Sequence, residues 1–209
     1  MPITVASCFA SADLVSKGRV RWDENLPERA PGVYVLSLAS EVNSGTPSLA
    51  KAPIDVVEIE RLLAARPYLQ IDGSRATAGL LAQRVGCYWL PTEPILYIGQ
   101  TSKPLRSRLQ QFYTTRIGER SPHAGGWWIK ALTCLSDVYV HYAPTKDFKE
   151  CERRMLRYFQ ANVEVALPEL GERRHDGMPF ANKEWWTEDN RRILREHGIR
   201  YATSNPKGI

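Results

Sequence analysis

Arg108 is the residue whose type and position point most directly to chemistry. Leu105, Leu109 and Phe112 have a spacing that places them along one side of a helix. Arg108 falls beside that apolar stripe, where a guanidinium is costly unless it is compensated. It can bind a phosphate through its planar donor fork, pair with a core carboxylate, or extend its charged end to the solvent.

Glu152 presents the same problem with the opposite charge. Residues 147–160 have the apolar spacing of a helix, and Glu152 falls inside the apolar stripe, one turn before Leu156. Glu150 points to the opposite side. A carboxylate that faces a protein core needs a cation. That cation is either a metal ion or the Arg108 guanidinium, which would give a salt bridge without catalysis.

Two short apolar segments, each with a tyrosine near a glycine, precede these helices. The first is Pro31-Gly32-Val33-Tyr34-Val35-Leu36, and the second contains Tyr97-Ile98-Gly99. Their β-branched and aromatic residues predict two strands. Together with the later Arg108 and Glu152, these segments resemble the signature of the GIY-YIG nuclease superfamily.

This resemblance implies a metal-dependent DNA endonuclease of a restriction, defence or mobile-element type, with RNA as the other substrate to consider. By the same resemblance, Glu152 holds Mg²⁺ or Mn²⁺ and Arg108 stabilises the charge that develops on the phosphate. Tyr34 and Tyr97 orient or activate the attacking water. The chemistry is phosphodiester hydrolysis, which needs a base, an electrostatic clamp and a cation.

The resemblance also indicates two further catalytic candidates. His123 lies near the position of a histidine in some homing endonucleases of the family, and an ordinary surface histidine is the alternative interpretation. Asn182 ends the stretch Pro179-Phe180-Ala181-Asn182, which is the nearest likeness to a Pro-x-Tyr-Asn motif of the family. In the family, that motif directly follows the glutamate helix.

Basic side chains around the Arg108 helix are candidates for contacts with nucleic acid. The formal net charge of +5 suits a polyanionic partner. Side chains of this kind either follow a phosphate backbone or are simply solvated. The candidates are Lys103, Arg106, Arg116 and Arg120.

The order of the predicted elements indicates an α/β (α+β) fold, with a small central antiparallel sheet of about three strands flanked by helices. The third strand is expected at residues 137–142. We divide the chain into an N-terminal arm at 1–30, a GIY-YIG-like domain at 31–165 and a C-terminal helical extension at 166–209. Residues 19–22 are either an edge strand or part of the arm.

An insertion at residues 40–94 separates the first two core strands. Its apolar spacing predicts a helix over 56–65, a strand and turn over 68–73, and a second helix over 77–85. The insertion is interpreted as a target-reading module, a dimer surface or a lid.

The tail is predicted to contain a helix over residues 184–197. Its three arginines form either a DNA-facing side or a solvated charged face. They are Arg191, Arg192 and Arg195.

The four cysteines indicate neither a disulfide framework nor a zinc site, because no C-x-x-C pair or zinc-ligand spacing is present. There is no apolar run long enough for a bilayer and no export pattern. We therefore expect a cytoplasmic protein without a membrane partner, which binds DNA and also a second copy of itself or a partner protein.

Two other functions are compatible with the sequence. One is a nucleic-acid-binding GIY-YIG-like module without turnover that acts as a subunit of a larger complex. The other is an unrelated α/β interaction protein whose motifs arise by chance. Metal-dependent cleavage distinguishes the enzyme from the binding module, and a structure without a shared cleft for the four motif residues favours the interaction protein.

Overall fold

The chain folds around a central antiparallel sheet with helices on both faces. A computed structural model describes residues 1–45, 49–119, 126–165, 176–187, 189, 191–195 and 197–201. The elements in chain order are α1 (Val5–Ala10), β1 (Gly18–Arg21), β2 (Gly32–Ser37), α2 (Val56–Ala65), β3 (Leu69–Ile71), β4 (Ser74–Arg75), α3 (Ala78–Gly86), β5 (Ile95–Thr101), α4 (Leu105–Thr114), α5 (Trp127–Lys130), β6 (Tyr139–Pro144), α6 (Phe148–Asn162), β7 (Glu184–Trp186), β8 (Arg192–Leu194) and β9 (Ile199–Tyr201).

The central sheet has four strands in the order β1-β6-β2-β5, and every neighbouring pair is antiparallel. The expected mixed fold with an antiparallel sheet is confirmed, but the expected number of about three strands is too low. The additional strand is β1, which pairs with β6 over its whole length, from Gly18 opposite Tyr142 to Arg21 opposite Tyr139. Part of the N-terminal segment described above as an arm therefore belongs to the sheet.

Alternate side chains of β2 enter two apolar clusters, one on each face of the sheet. Tyr34 and Leu36 belong to the cluster that also contains buried residues of α4, which we call the α4 cluster. Val33 and Val35 belong to the cluster that contains buried residues of α1 and α6, which we call the α6 cluster. The central strand is buried along its entire length because both faces are covered.

The insertion folds into the predicted helices. Helix α2 covers the predicted range, and its N-terminus is capped by Asp55; α3 is capped by Thr77. Ile59 of α2 and Leu81 of α3 are buried in the α4 cluster. The insertion therefore shares its apolar core with the sheet face that carries Tyr34.

The predicted helix over residues 184–197 is wrong, because β7 and β8 form an antiparallel hairpin in this range. The N–H of Thr187 donates to the carbonyl of Arg191 and helps to close the turn. Strand β9 pairs with β3 of the insertion. Trp185 packs against the α6 cluster, and such tertiary contacts override the helical spacing of the apolar residues. In the described part of the C-terminal segment, the expected helical extension is thus replaced by strands.

Arg195, which was expected on an exposed charged face, is buried. Its guanidinium donates to the two carboxylate oxygens of Asp176 at 2.6 and 2.8 Å. It also donates to the carbonyls of Met178, Pro179 and Phe180. This network attaches the segment that precedes β7 to the residues that follow β8.

No helix in the described ranges of the chain combines the length and apolar character needed to cross a membrane.

Candidate active site

Tyr34 and Tyr97 lie beside each other on the neighbouring strands β2 and β5. Tyr34 is opposite Gly99, and Tyr97 is two residues from Gly99 along β5. Diagonal neighbours of this kind are within reach of each other when the side chains are aromatic. The two ring centroids are 5.9 Å apart.

A β-bulge in β5 contributes to the direction of Tyr97. Leu36 of β2 pairs with Tyr97, but the next residue, Ser37, pairs with Ile95. Leu96 is therefore an extra residue on β5. Leu96 and Tyr97 both contact the α4 cluster, although consecutive residues of a regular strand face opposite sides.

The glycines of the two motifs are required by close packing. A Cβ atom at Gly99 would lie 2.5 Å from a ring carbon of Tyr97 and 2.8 Å from a ring carbon of Tyr34. A Cβ atom at Gly32 would lie 2.3 Å from the carbonyl oxygen of Ala143 on the neighbouring strand. Larger residues at either position would displace the strands or the tyrosine rings.

Helix α4 presents Arg108 to the tyrosine pair. Leu109 and Phe112 are buried in the α4 cluster, and the ring of Phe112 packs edge-on against Tyr97 at a centroid distance of 6.1 Å. The Arg108 side chain is partly exposed, but its Nε atom is buried and donates no hydrogen bond to the described residues.

Helix α6 carries Glu152, and its Met155 and Leu156 are buried in the α6 cluster. The charge of Glu152 acts on the pKa of both Tyr34 and Tyr97, so these tyrosines, Arg108 and Glu152 form one electrostatically coupled group, which we call the cleft. Burial raises the pKa of Glu152 to about 8, and the carboxylate of Glu184 adds to this rise. The nearby Arg108 opposes it. The folded protein therefore disfavours the charged form of Glu152 unless a further cation is present.

Arg108 and Glu152 influence each other electrostatically but do not touch. In the described part of the chain, neither residue forms a salt bridge or a side-chain hydrogen bond with the other. The structural salt bridge considered above is therefore not formed. The pair presents a positive and a negative group on two sides of one cleft, which complements an anion and a cation bound together.

Tyr34 and Tyr97 both have a raised pKa, because burial disfavours the phenolate form. Arg108 is the strongest opposing influence on the pKa of Tyr34. The pKa of Tyr97 is raised further, since Tyr34 and Glu152 add to the effect of burial. Of the two hydroxyls, that of Tyr34 is therefore the easier to deprotonate.

The hydroxyl of Tyr34 is fully buried, and the Arg108 and Tyr97 side chains come close enough to act on its pKa through hydrogen bonds, although neither bond meets strict hydrogen-bonding geometry. An unsatisfied buried polar group costs about 1–3 kcal/mol. Among the described residues, the Arg108 Nε is such a group, and the Tyr34 hydroxyl near it has only weak partners. A polar ligand would satisfy both groups.

Asn182 lies beside this cleft but has a different environment from the one expected of a catalytic residue. Its Oδ1 atom accepts from the N–H of Ile98 at 3.0 Å, and its Nδ2 atom donates to the carbonyl of Ile98 at 2.8 Å. The amide is buried and both of its ends are occupied by β5. Asn182 thus holds the free edge of the strand that carries Tyr97.

The basic candidates around α4 are exposed, and the side chains of the described ones form no salt bridge with a described acidic residue. Arg106 and Lys103 lie at or just before the first turn of α4, and Arg116 follows its last turn. Arg120 and His123 lie outside the described residues. On the hairpin, by contrast, the exposed Arg191 and Arg192 pair with Asp189 and Glu184.

Among the described residues, Glu184 is an acidic side chain that acts on Glu152 and that the sequence analysis did not identify. It was assigned to a helix, whereas it begins β7 and acts on Glu152. The apolar spacing of the sequence carries no signal for this, because the influence of Glu184 depends on how β7 packs near α6.

Comparisons with protein-family models, with curated proteins and with solved structures found no match to this chain.

Proposed function

We propose that the protein is a metal-dependent endonuclease of the GIY-YIG type that hydrolyses phosphodiester bonds in DNA. The observation that supports this proposal is the grouping of Tyr34, Tyr97, Arg108 and Glu152, which act on one another electrostatically while the two opposite charges form no ion pair. Residues from two strands and two helices contribute to it. Such convergence is expected of an active site and is not required by the packing of any one element.

The side chains of the cleft fit a divalent cation. Mg²⁺ and Mn²⁺ prefer oxygen ligands, and Glu152 offers a carboxylate whose charge acts on the buried hydroxyl of Tyr34. A cation bound there would polarise the phosphate as a Lewis acid. Glu152 must be ionised to hold it, so binding is coupled to the release of a proton.

Arg108 provides the electrostatic clamp. Its guanidinium donates hydrogen bonds to the phosphate oxygens and stabilises the negative charge that builds on them as water attacks phosphorus. The buried Nε, which no described protein group accepts, is one of the donors available for this purpose.

Tyr34 is the better candidate to hold or accept the proton of the attacking water. Arg108 lowers the pKa of the Tyr34 hydroxyl more effectively than that of Tyr97. A phosphate-bound cation would lower it further. Tyr97 then orients the water through its own hydroxyl.

Lys103 and Arg106, near the start of α4, are available to hold the phosphate backbone on either side of the reacting group.

Plasmid cleavage tests the proposal. With Mg²⁺ or Mn²⁺, the wild-type protein should convert supercoiled plasmid into nicked or linear DNA. Arg108→Ala and Glu152→Ala should each reduce the rate by about 10²- to 10³-fold, because each removes a group that stabilises the transition state, while DNA binding is retained.

Each variant has a matched control on the same helix. Gln110→Ala removes an exposed polar side chain of α4, and Glu150→Ala removes a carboxylate from the outer side of α6. Both should cut nearly as fast as the wild type. Equal activity of all five proteins would refute the assignment. DNA binding by the wild type without cleavage under any metal would favour a binding module that acts within a larger complex.

A further inference from the structure

A surface pocket lies between the C-terminal half of α6 and the β7–β8 hairpin, and the proposed mechanism does not use it. Its volume of about 380 Å³ is in the range of ordinary small-ligand pockets. Leu156 and Met178, both almost fully buried, line its inner part. The other described lining residues are Arg157, Gln160, Ala161, Trp185, Trp186 and Thr187.

Two indole rings form much of the wall of this pocket. Trp185 is partly buried and packs against the α6 cluster, to which Leu156 and Met178 belong. Trp186, the next residue of β7, also lines the pocket but is 39% exposed. An exposed tryptophan at the edge of a pocket offers an aromatic face that a flat ring can cover by stacking.

The polar lining residues favour a nucleotide over an apolar ligand. The Nε2 atom of Gln160 donates to the carbonyl of Asp176 at 2.9 Å, while its Oε1 atom accepts no hydrogen bond from the described residues. An acceptor oriented in this way suits the N–H groups on the edge of a nucleobase. Among the described lining residues, Arg157 alone is charged, and its positive charge complements the phosphate attached to such a base.

The pocket is close to the cleft along α6. Leu156 follows Glu152 by one helical turn, an axial rise of about 6 Å, and lies on the same side of the helix. Because each nucleotide of a stacked strand advances about 3.4 Å, a strand whose phosphate lies beside Glu152 reaches the pocket within about two nucleotides.

We propose that this pocket, which we call the tryptophan pocket, binds one unstacked base of the DNA substrate. The base stacks on Trp186, its edge meets Gln160, and Arg157 attracts its phosphate. This inference rests on the proposed function, because it takes the substrate to be DNA. A base held there would fix the position of the strand relative to Glu152.

Binding of single-stranded DNA in the absence of divalent metal tests the inference independently of cleavage. Fluorescence anisotropy in EDTA gives the dissociation constants of two labelled probes of equal length, an oligonucleotide of cytosines and an abasic chain with the same phosphates. The wild type should bind the cytosine probe more tightly. In Trp186→Ala, the affinity for the cytosine probe should fall by about 5- to 150-fold, because one stack is lost, and the affinity for the abasic probe should be unchanged.

Further variants separate stacking from structural support. Trp186→Phe keeps an aromatic face and should keep most of the preference for the cytosine probe. Trp186→Leu keeps only an apolar surface and should behave like Trp186→Ala. Leu194→Ala is the control, since it removes an exposed side chain of β8 that does not line the pocket, and it should bind both probes like the wild type. Unfolding temperatures compare the stability of the variants.

An unchanged preference for the cytosine probe in Trp186→Ala overturns the inference, as does equal weakening for both probes. In either case, metal-dependent plasmid cleavage by the wild type leaves the proposed function intact. A preference that depends on Trp186, in a chain that cleaves no DNA under any metal, supports the tryptophan pocket and overturns the nuclease. A wild type that binds neither probe, or both equally, overturns the inference.

Discussion

At the scale of single residues, the geometry of the cleft depends on a glycine without a side chain as well as on the reactive side chains. Gly99 has no side chain, and this lets the rings of Tyr34 and Tyr97 share one face of the sheet. Because a Cβ atom there would be within 3 Å of both rings, alanine must displace at least one of them. The consequence for catalysis should therefore be larger than the consequence for folding.

Gly99→Ala should lower the rate of DNA cleavage by about 100-fold, because a shift of about 1 Å in a catalytic group is sufficient for such a loss. The free energy of unfolding should fall by about 1–3 kcal/mol from overpacking. Plasmid cleavage and urea denaturation measure the two effects. Gly79→Ala in α3 is the control, since nothing lies within 4 Å of its Cβ position, and it should stabilise the helix slightly. Unchanged cleavage by Gly99→Ala would mean that the ring positions are not critical.

At the scale of elements, β5 is an edge strand whose outer side is bonded by the side-chain amide of Asn182 and by the backbone of Ala181. Asn182 bonds to both backbone groups of Ile98, and the N–H of Ala181 donates to the carbonyl of Leu96 at 2.8 Å. A side-chain amide has the same donor and acceptor as a peptide group, so Asn182 continues the ladder where no fifth strand exists. The edge is thereby closed to further strand pairing.

Asn182→Ala should lower the free energy of unfolding by about 2–4 kcal/mol, because it leaves a buried N–H and a buried carbonyl of Ile98 without partners. Hydrogen exchange should show faster exchange of the Ile98 amide, and urea denaturation should show the lost stability. Asn162→Ala removes only an exposed bond at the end of α6, so its effect should stay within about 0.5 kcal/mol. Native protection of Ile98 in Asn182→Ala would exclude this role.

At the scale of the whole molecule, Glu93 joins the N-terminus to the sheet. Its buried carboxylate accepts from the N–H of Ile3 at 2.9 Å, just before α1. Burial raises the pKa of Glu93 to about 7, against an ordinary value of 4.5, although the bond from Ile3 opposes the rise. The folded state therefore binds a proton at Glu93 more tightly than the unfolded state does.

The stability of the protein should consequently fall as the pH rises from about 4.5 to about 7, by about 3 kcal/mol from Glu93 alone. Glu93→Gln should remove this part of the slope, and Glu60→Gln, on the exposed side of α2, should not. Urea denaturation across this pH range gives the three curves. Because Glu152 titrates over an overlapping range, the difference between wild type and Glu93→Gln isolates the contribution of Glu93. Parallel curves for these two proteins would contradict the prediction.

The sequence alone was sufficient for the elements whose apolar spacing is strong and local. It predicted the helices α2, α3, α4 and α6 and the three strands β2, β5 and β6. These predictions succeeded because a helical stripe or a short β-branched run encodes which side must be buried, whatever its partner is. Arg108 and Glu152 were identified as candidate site residues for the same reason, since each places a charge at or beside an apolar helical stripe.

Only the tertiary structure decided the features that depend on distant partners. Strand β1 forms because it meets β6, more than a hundred residues later, and β9 forms because it meets β3. The hairpin of β7 and β8 replaces a helix because Trp185 packs on α6 and Arg195 is buried against Asp176. The electrostatic influence of Glu184 on Glu152, and the lack of a bond between Glu152 and Arg108, likewise arise from how separate elements meet. The local spacing of apolar residues carries no information about such tertiary contacts. The free energy that stabilises these contacts comes from strand pairing and burial between segments that are far apart in the chain.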